Sequence, residues 1–179
     1  MVSLGVLFWM LIFIFAMIGA IRGWAKEILV TFSVFLGLFV ITVIESYVSP
    51  MKAFLANSPP TMQVYMRMIV MVALVFFGYQ TPNFPRFAES NRFIRERFQD
   101  VLLGFILGGF NGFLIFGSIW HFLHQANYPF PIIIPPIAGT PAGDAALQII
   151  PYLAPTWLIS PVIYYAVAIS FVFVLVVFI

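Results

Sequence analysis

Two long apolar runs separated by a short charged break constrain this chain more than any other feature. Residues 19–29 read GAIRGWAKEIL and set Arg22, Lys26 and Glu27 between the apolar runs 3–21 and 28–44. At about 1.5 Å per helical residue, each run can cross most of a hydrocarbon core roughly 30 Å thick. Charges are costly at the middle of that core, so the break marks a surface where the chain enters and turns back. The first basic residue follows the first run, whereas a secretory signal carries its positive charge ahead of one, so a retained first transmembrane helix is expected. The short link predicts that the first two helices pair antiparallel, with Gly19 and Gly23 at one end and Ser33 with Gly37 as further small surfaces for close approach.

Hydrophobic residues make up 63% of the chain and charged residues 8%. Soluble domains carry roughly 25% charged residues, so water could not cover a core of this composition and a membrane bundle is the expected class. The formal charge of +2 is too small to argue for nucleic acid, and the basic residues inform through their positions instead. Cysteine is absent, which removes disulfides, thiolate nucleophiles and cysteine-based metal motifs.

The rest of the chain continues the alternation. Residues 46–60 hold Pro50, Pro59 and Pro60 and read as an outer loop, with MKAFLA as a short interfacial turn. A third helix is expected over 61–79, interrupted by Arg67. That arginine either snorkels to phosphate headgroups or turns into the bundle against Glu45 or a partner's acid. Residues 80–100 are the most polar stretch, with Arg86, Arg92, Arg95 and Arg97 among phenylalanines, an amphipathic pattern suited to anionic headgroups. A fourth helix is expected over 101–124. Gly104, Gly108 and Gly112 recur there every fourth residue and predict a tight helix contact, while Asn111 needs a partner on another helix.

Residues 126–156 are dense in proline yet apolar, with Asp144 as their one charge, and read as an outer loop lying on the membrane or beneath a partner protein. Its GDAALQII portion suits a short helix with Asp144 near the positive end. A fifth helix is expected over 157–179. The chain thus divides into a four-helix core (1–125), a proline-rich loop (126–156) and a final helix (157–179), an all-α polytopic bundle. Arg22, Lys26, Arg86, Arg92, Arg95 and Arg97 fall on one side, with Lys52 and the nearby Arg67 on the other. This bias predicts an outside N-terminus and an inside C-terminus.

No catalytic, cofactor or metal site is expected. His121 and His124 lie one turn apart without the further ligands a metal needs. Ser118, His121 and Asp144 supply the residue types of a triad, but no nucleophile elbow presents the serine. The expected partners are lipids, with anionic headgroups on the inner side, and other membrane proteins.

Two motifs give the chain a resemblance. Gly19, Ile21, Arg22, Gly23, Trp24, Lys26, Glu27 and Ile28 form G-x-I-R-G-W-x-K-E-I, and Asp100, Leu102, Leu103, Gly104, Leu107, Gly108, Asn111 and Gly112 form D-x-L-L-G-x-x-L-G-x-x-N-G. With the order of helices, they make residues 1–125 similar to the colicin V production protein family of small bacterial inner-membrane proteins. The resemblance implies a location in the bacterial inner membrane and a link to bacteriocin export and envelope stress, without a mechanism that transfers to single residues.

Overall fold

The computed structural model describes residues 3–80 and 94–178. The described residues are all-helical, in the order α1 (Leu4–Arg22), α2 (Trp24–Tyr47), α3 (Ser49–Asn57), α4 (Pro60–Tyr79), α5 (Ile94–Gln125), α6 (Pro141–Ile149), α7 (Ala154–Trp157) and α8 (Val162–Phe178). Four of them, α1, α2, α4 and the Arg97–Gln125 part of α5, are long and apolar enough to cross a membrane. The amphipathic pattern with Arg86 and Arg92 falls mainly on residues 81–93, outside the described residues.

Two helices begin where local chemistry favours a start. Ser3 caps α1 by accepting from the Val6 amide, and Pro60 opens α4, where a missing N–H is harmless. The break between α1 and α2 is tighter than its charges suggest. It is the single residue Gly23, with φ of 85°, a conformation that a side chain strongly disfavours. Lys26 and Glu27 consequently belong to the first turn of α2 and not to a loop.

Printed contacts fix the directions. Gly23 meets Asp100, Gly19 meets Gly104 and Gly108, and Phe8 meets Trp120, so α1 runs antiparallel to α5. Gly78 meets Val30 and Ser33, and Arg67 meets Glu45, so α4 runs antiparallel to α2. Phe39 with Tyr164 and Phe32 with Phe171 set α8 antiparallel to α2. The expected close pair of α1 and α2 is therefore replaced. Gly19 faces α5, and Ser33 with Gly37 face α4, because glycines on both partners permit close backbone approach.

The core joins Val30, Val34, Leu38 and Ile41 of α2 to Met71 of α4, Leu114 and Phe122 of α5, and Ile163 of α8. A second cluster, with Phe8, Trp120, Ala146, Ile150 and Leu153, seats α6 on the ends of α1 and α5. After α5 the chain doubles back through Asn127 and Tyr128, both at positive φ near 50°. Such backbone costs about 1 kcal/mol or more per residue and needs support. The Tyr128 amide bonds to the Leu123 carbonyl, and its hydroxyl accepts from Trp120 Nε1 at 3.1 Å. Burial pushes that hydroxyl above the ordinary phenol range, against the opposing pull of the Trp120 bond.

The final helix differs from expectation at its start. Residues 157–179 do not form one helix: α7 ends at Trp157 and α8 begins at Val162, directly after Pro161. Proline lacks the N–H that a continuous helix would need there, which leaves α8 with 17 residues.

Candidate functional site: a polar knot between two glycine motifs

The residues singled out from sequence converge at one end of the bundle, where α1 ends, α2 begins and α4 ends. Glu27 is fully buried in the first turn of α2. Its Oε2 accepts from Asn111 Nδ2 at 2.8 Å, and the same amide reaches the Glu27 carbonyl at 2.9 Å. Thr31, one turn along α2, brings its hydroxyl within 2.6 Å of Asn111 Oδ1. Asn111 thereby has both ends of its amide satisfied.

Arg22 closes the knot from α1. Its Nε lies 2.9 Å from Glu27 Oε1, an ion-pair distance at an angle that makes no hydrogen bond. One Nη donates to the Tyr79 carbonyl at 3.3 Å, and the guanidinium lies 4.3 Å from the centre of the Tyr79 ring. Desolvating two opposite charges is expensive, and this geometry returns attraction in a low dielectric, helped by the positive N-terminal end of α2 near Glu27. The knot therefore ties α1, α2, α4 and α5 through side chains.

Glycines bring the backbones close enough for these bonds. A Cβ on Gly19 would lie 2.7 Å from the Gly108 Cα and run into the Gly104 carbonyl oxygen. A Cβ on Gly108 would lie 2.8 Å from the Gly19 Cα and run into the Phe15 carbonyl oxygen. Gly112 faces Phe15 and Ile12 at 2.9 and 3.1 Å in the same sense. At the end of this seam Asp100 Oδ1 accepts from the Trp24 amide at 3.3 Å, so a carboxylate from α5 serves the N-terminus of α2, which has no side-chain cap of its own.

Of the remaining residues, Lys26 is half-buried beside the knot and outside its bonds. Glu45 and Arg67 meet at the opposite end of the bundle. Arg67 Nε and Nη2 reach the two Glu45 carboxylate oxygens at 2.7 and 3.2 Å, and Nη1 reaches Gln125 Oε1 at 2.8 Å. Of the two alternatives open for Arg67, the inward pairing with Glu45 is the one adopted. A cavity of about 30 Å³ beside this pair has room for about one water molecule.

Sequence reasoning passed over Thr31, Tyr79 and Gln125. Thr31 had a signal, since it lies four residues after Glu27 on the same helical face. Tyr79 and Gln125 had only their places at the ends of apolar runs. The Ser118 hydroxyl bonds to the Leu114 carbonyl, and Asp144 accepts from the Gly139 amide, so no hydrogen bond joins either to His121. Among the described residues, no group of three or more His, Asp or Glu side chains could hold a metal.

Comparison with known protein families, with curated proteins and with solved structures finds no match for this chain.

Proposed function

We propose that the protein is a non-enzymatic scaffold or accessory subunit of the bacterial cytoplasmic membrane that packs onto a larger membrane complex. The observation that carries this reading is the interlocking of the intramembrane polar side chains. Arg22, Glu27, Thr31, Asn111 and Tyr79 hold four helices together at one end, and Glu45, Arg67 and Gln125 hold three at the other. Polar groups bound to one another in this way stiffen a body and define its outer surface. The basic residues near Arg22 give an inside position to that end, so the N-terminus lies outside and α8 is a fifth crossing that returns inward.

The resemblance to the colicin V production proteins supports a setting in export or envelope maintenance. Its two motifs, distant in sequence, pack against each other through Gly19 with Gly108, Trp24 with Asp100 and Glu27 with Asn111. Two motifs that meet in helix contacts accord with a structural role.

The partner surface lies on α4. Tyr65, Met68, Ile69, Val72, Phe76 and Phe77 surround Ala73 in a groove of about 490 Å³ within the span. A small residue among bulky ones at this depth suits the side chains of another protein's transmembrane helix. A photo-crosslinking residue at Val72 should give one reproducible adduct with a membrane protein in native membranes, while the same probe at Phe13 on α1 gives lipid adducts. Lipid adducts alone at both positions would overturn the accessory role. The alternative, a channel or transport component, draws on Arg67, Asn111 and Glu45, but Arg67 is bound to Glu45, and Asn111 to Glu27 and Thr31, within the bundle. Substrate-dependent flux in liposomes that falls with Asn111→Ala would favour it.

A further inference from the structure

The proline-rich segment carries an apolar cavity that the scaffold role does not use. It has a volume of about 550 Å³ and lies between Ser3, Leu4 and Leu7 at the start of α1 and the segment Ile132–Ile137, with Ala142 at its side. This is within the range of pockets that take a small-molecule ligand. Its polar side chains are Ser3 and Thr140, both neutral. The only charge in residues 126–156, Asp144, is turned back onto the Gly139 amide at 2.9 Å.

Position identifies the occupant. The cavity wall includes the first turn of a helix long and apolar enough to cross a membrane, a position at the edge of the hydrocarbon layer. From there it continues into the outward stripe of α1 formed by Val6, Met10, Phe13 and Met17, all exposed. Phe130 packs edge-on against Tyr65 of α4 at 5.2 Å, which holds the segment across the ends of two spans. Ile132 is 95% exposed, with Ile134 and Ile137 also open, and Tyr152 and Trp157 face outward from the connection that leads back to α8. Uncharged isoleucines at this depth with tyrosine and tryptophan nearby are the composition of a surface seated in the membrane interface.

We infer that residues 130–137 form an interfacial anchor in the outer leaflet and that the cavity between them and α1 holds an acyl chain of a membrane phospholipid. The neutral rim makes this site indifferent to headgroup charge, unlike the arginine-rich opposite side. The inference is independent of the scaffold role.

The cysteine-free chain allows a direct test in liposomes of dioleoylphosphatidylcholine. A nitroxide on Ile132→Cys should collide more often with oxygen than with a water-soluble nickel chelate, with the same sign as a nitroxide on Phe13→Cys but at a shallower depth. In native mass spectra the protein should keep a phospholipid adduct through detergent washing, and Ala142→Trp, at an exposed edge of the cavity, should lose at least half of it. Nickel collisions that dominate at Ile132 would overturn the anchor. A nitroxide shielded from both reagents would place protein over the segment and also overturn it. An adduct unchanged by Ala142→Trp would overturn the acyl-chain site.

Discussion

The two ends of the bundle use the same pair of charges to different effect. At one end Glu27 is wholly buried and meets Arg22 and Asn111 beside a seam of glycines. At the other the Glu45 side chain keeps 29% of its exposure, and Arg67 binds it in a two-point grip next to an exposed residue, Gln125. Water and headgroups can replace a lost partner at the Glu45 end and cannot at the Glu27 end. An ion pair's contribution to the fold is set by what else could solvate it, more than by its distance.

The comparison can be broken most severely at the glycine seam. Gly108→Leu places a branched side chain against the Phe15 carbonyl and the Gly19 backbone, so α1 must move off α5. The expected loss is about 3 kcal/mol or more, and it should appear as failure to accumulate folded protein in the membrane. Arg22→Ala comes next. It leaves the Glu27 carboxyl buried beside Asn111 without its counter-charge, a loss of about 3–5 kcal/mol by the general behaviour of buried pairs. Adding Glu27→Gln should recover much of that loss, since the second change removes the need for a counter-charge and keeps a partner for Asn111. A double variant no more stable than Arg22→Ala alone would mean that the charge pairing is not what the knot around Glu27 depends on. Arg67→Ala should be the mildest, about 1 kcal/mol or less, measured by unfolding in mixed micelles. If Arg67→Ala proved as damaging as Arg22→Ala, the distinction between the two ends would fail.

How much was legible in the sequence follows from the same contrast. The long apolar runs marked the four helices that are long and apolar enough to cross a membrane, and the regular glycines at 104, 108 and 112 signalled a close contact, because both are patterns within one helix. What a single helix cannot reveal is its neighbour. Gly19 read as part of a pair between α1 and α2 because those helices are adjacent in sequence, yet the complementary small surface lies on α5. Charges likewise read as a turn between Arg22 and Glu27, although Gly23 alone makes the turn and Glu27 enters the helix. A buried carboxylate in a first helical turn is stable only when its partners arrive, and the hydrogen-bonding one, Asn111, is 84 residues away. The break before α8 was visible as Pro161 and was given too little weight.

The account stands on α1 and α5 being joined through the two glycine motifs. A Cβ at Gly109 would lie 3.4 Å from the Cβ of Ala16, close to the roughly 3.8 Å typical of a disulfide. In the otherwise cysteine-free chain, Ala16→Cys with Gly109→Cys should form an intramolecular disulfide in the membrane under mild oxidation, read as nearly complete loss of free thiol in the monomer. Two thiols that stay free under those conditions, in protein that is folded and inserted, would contradict it.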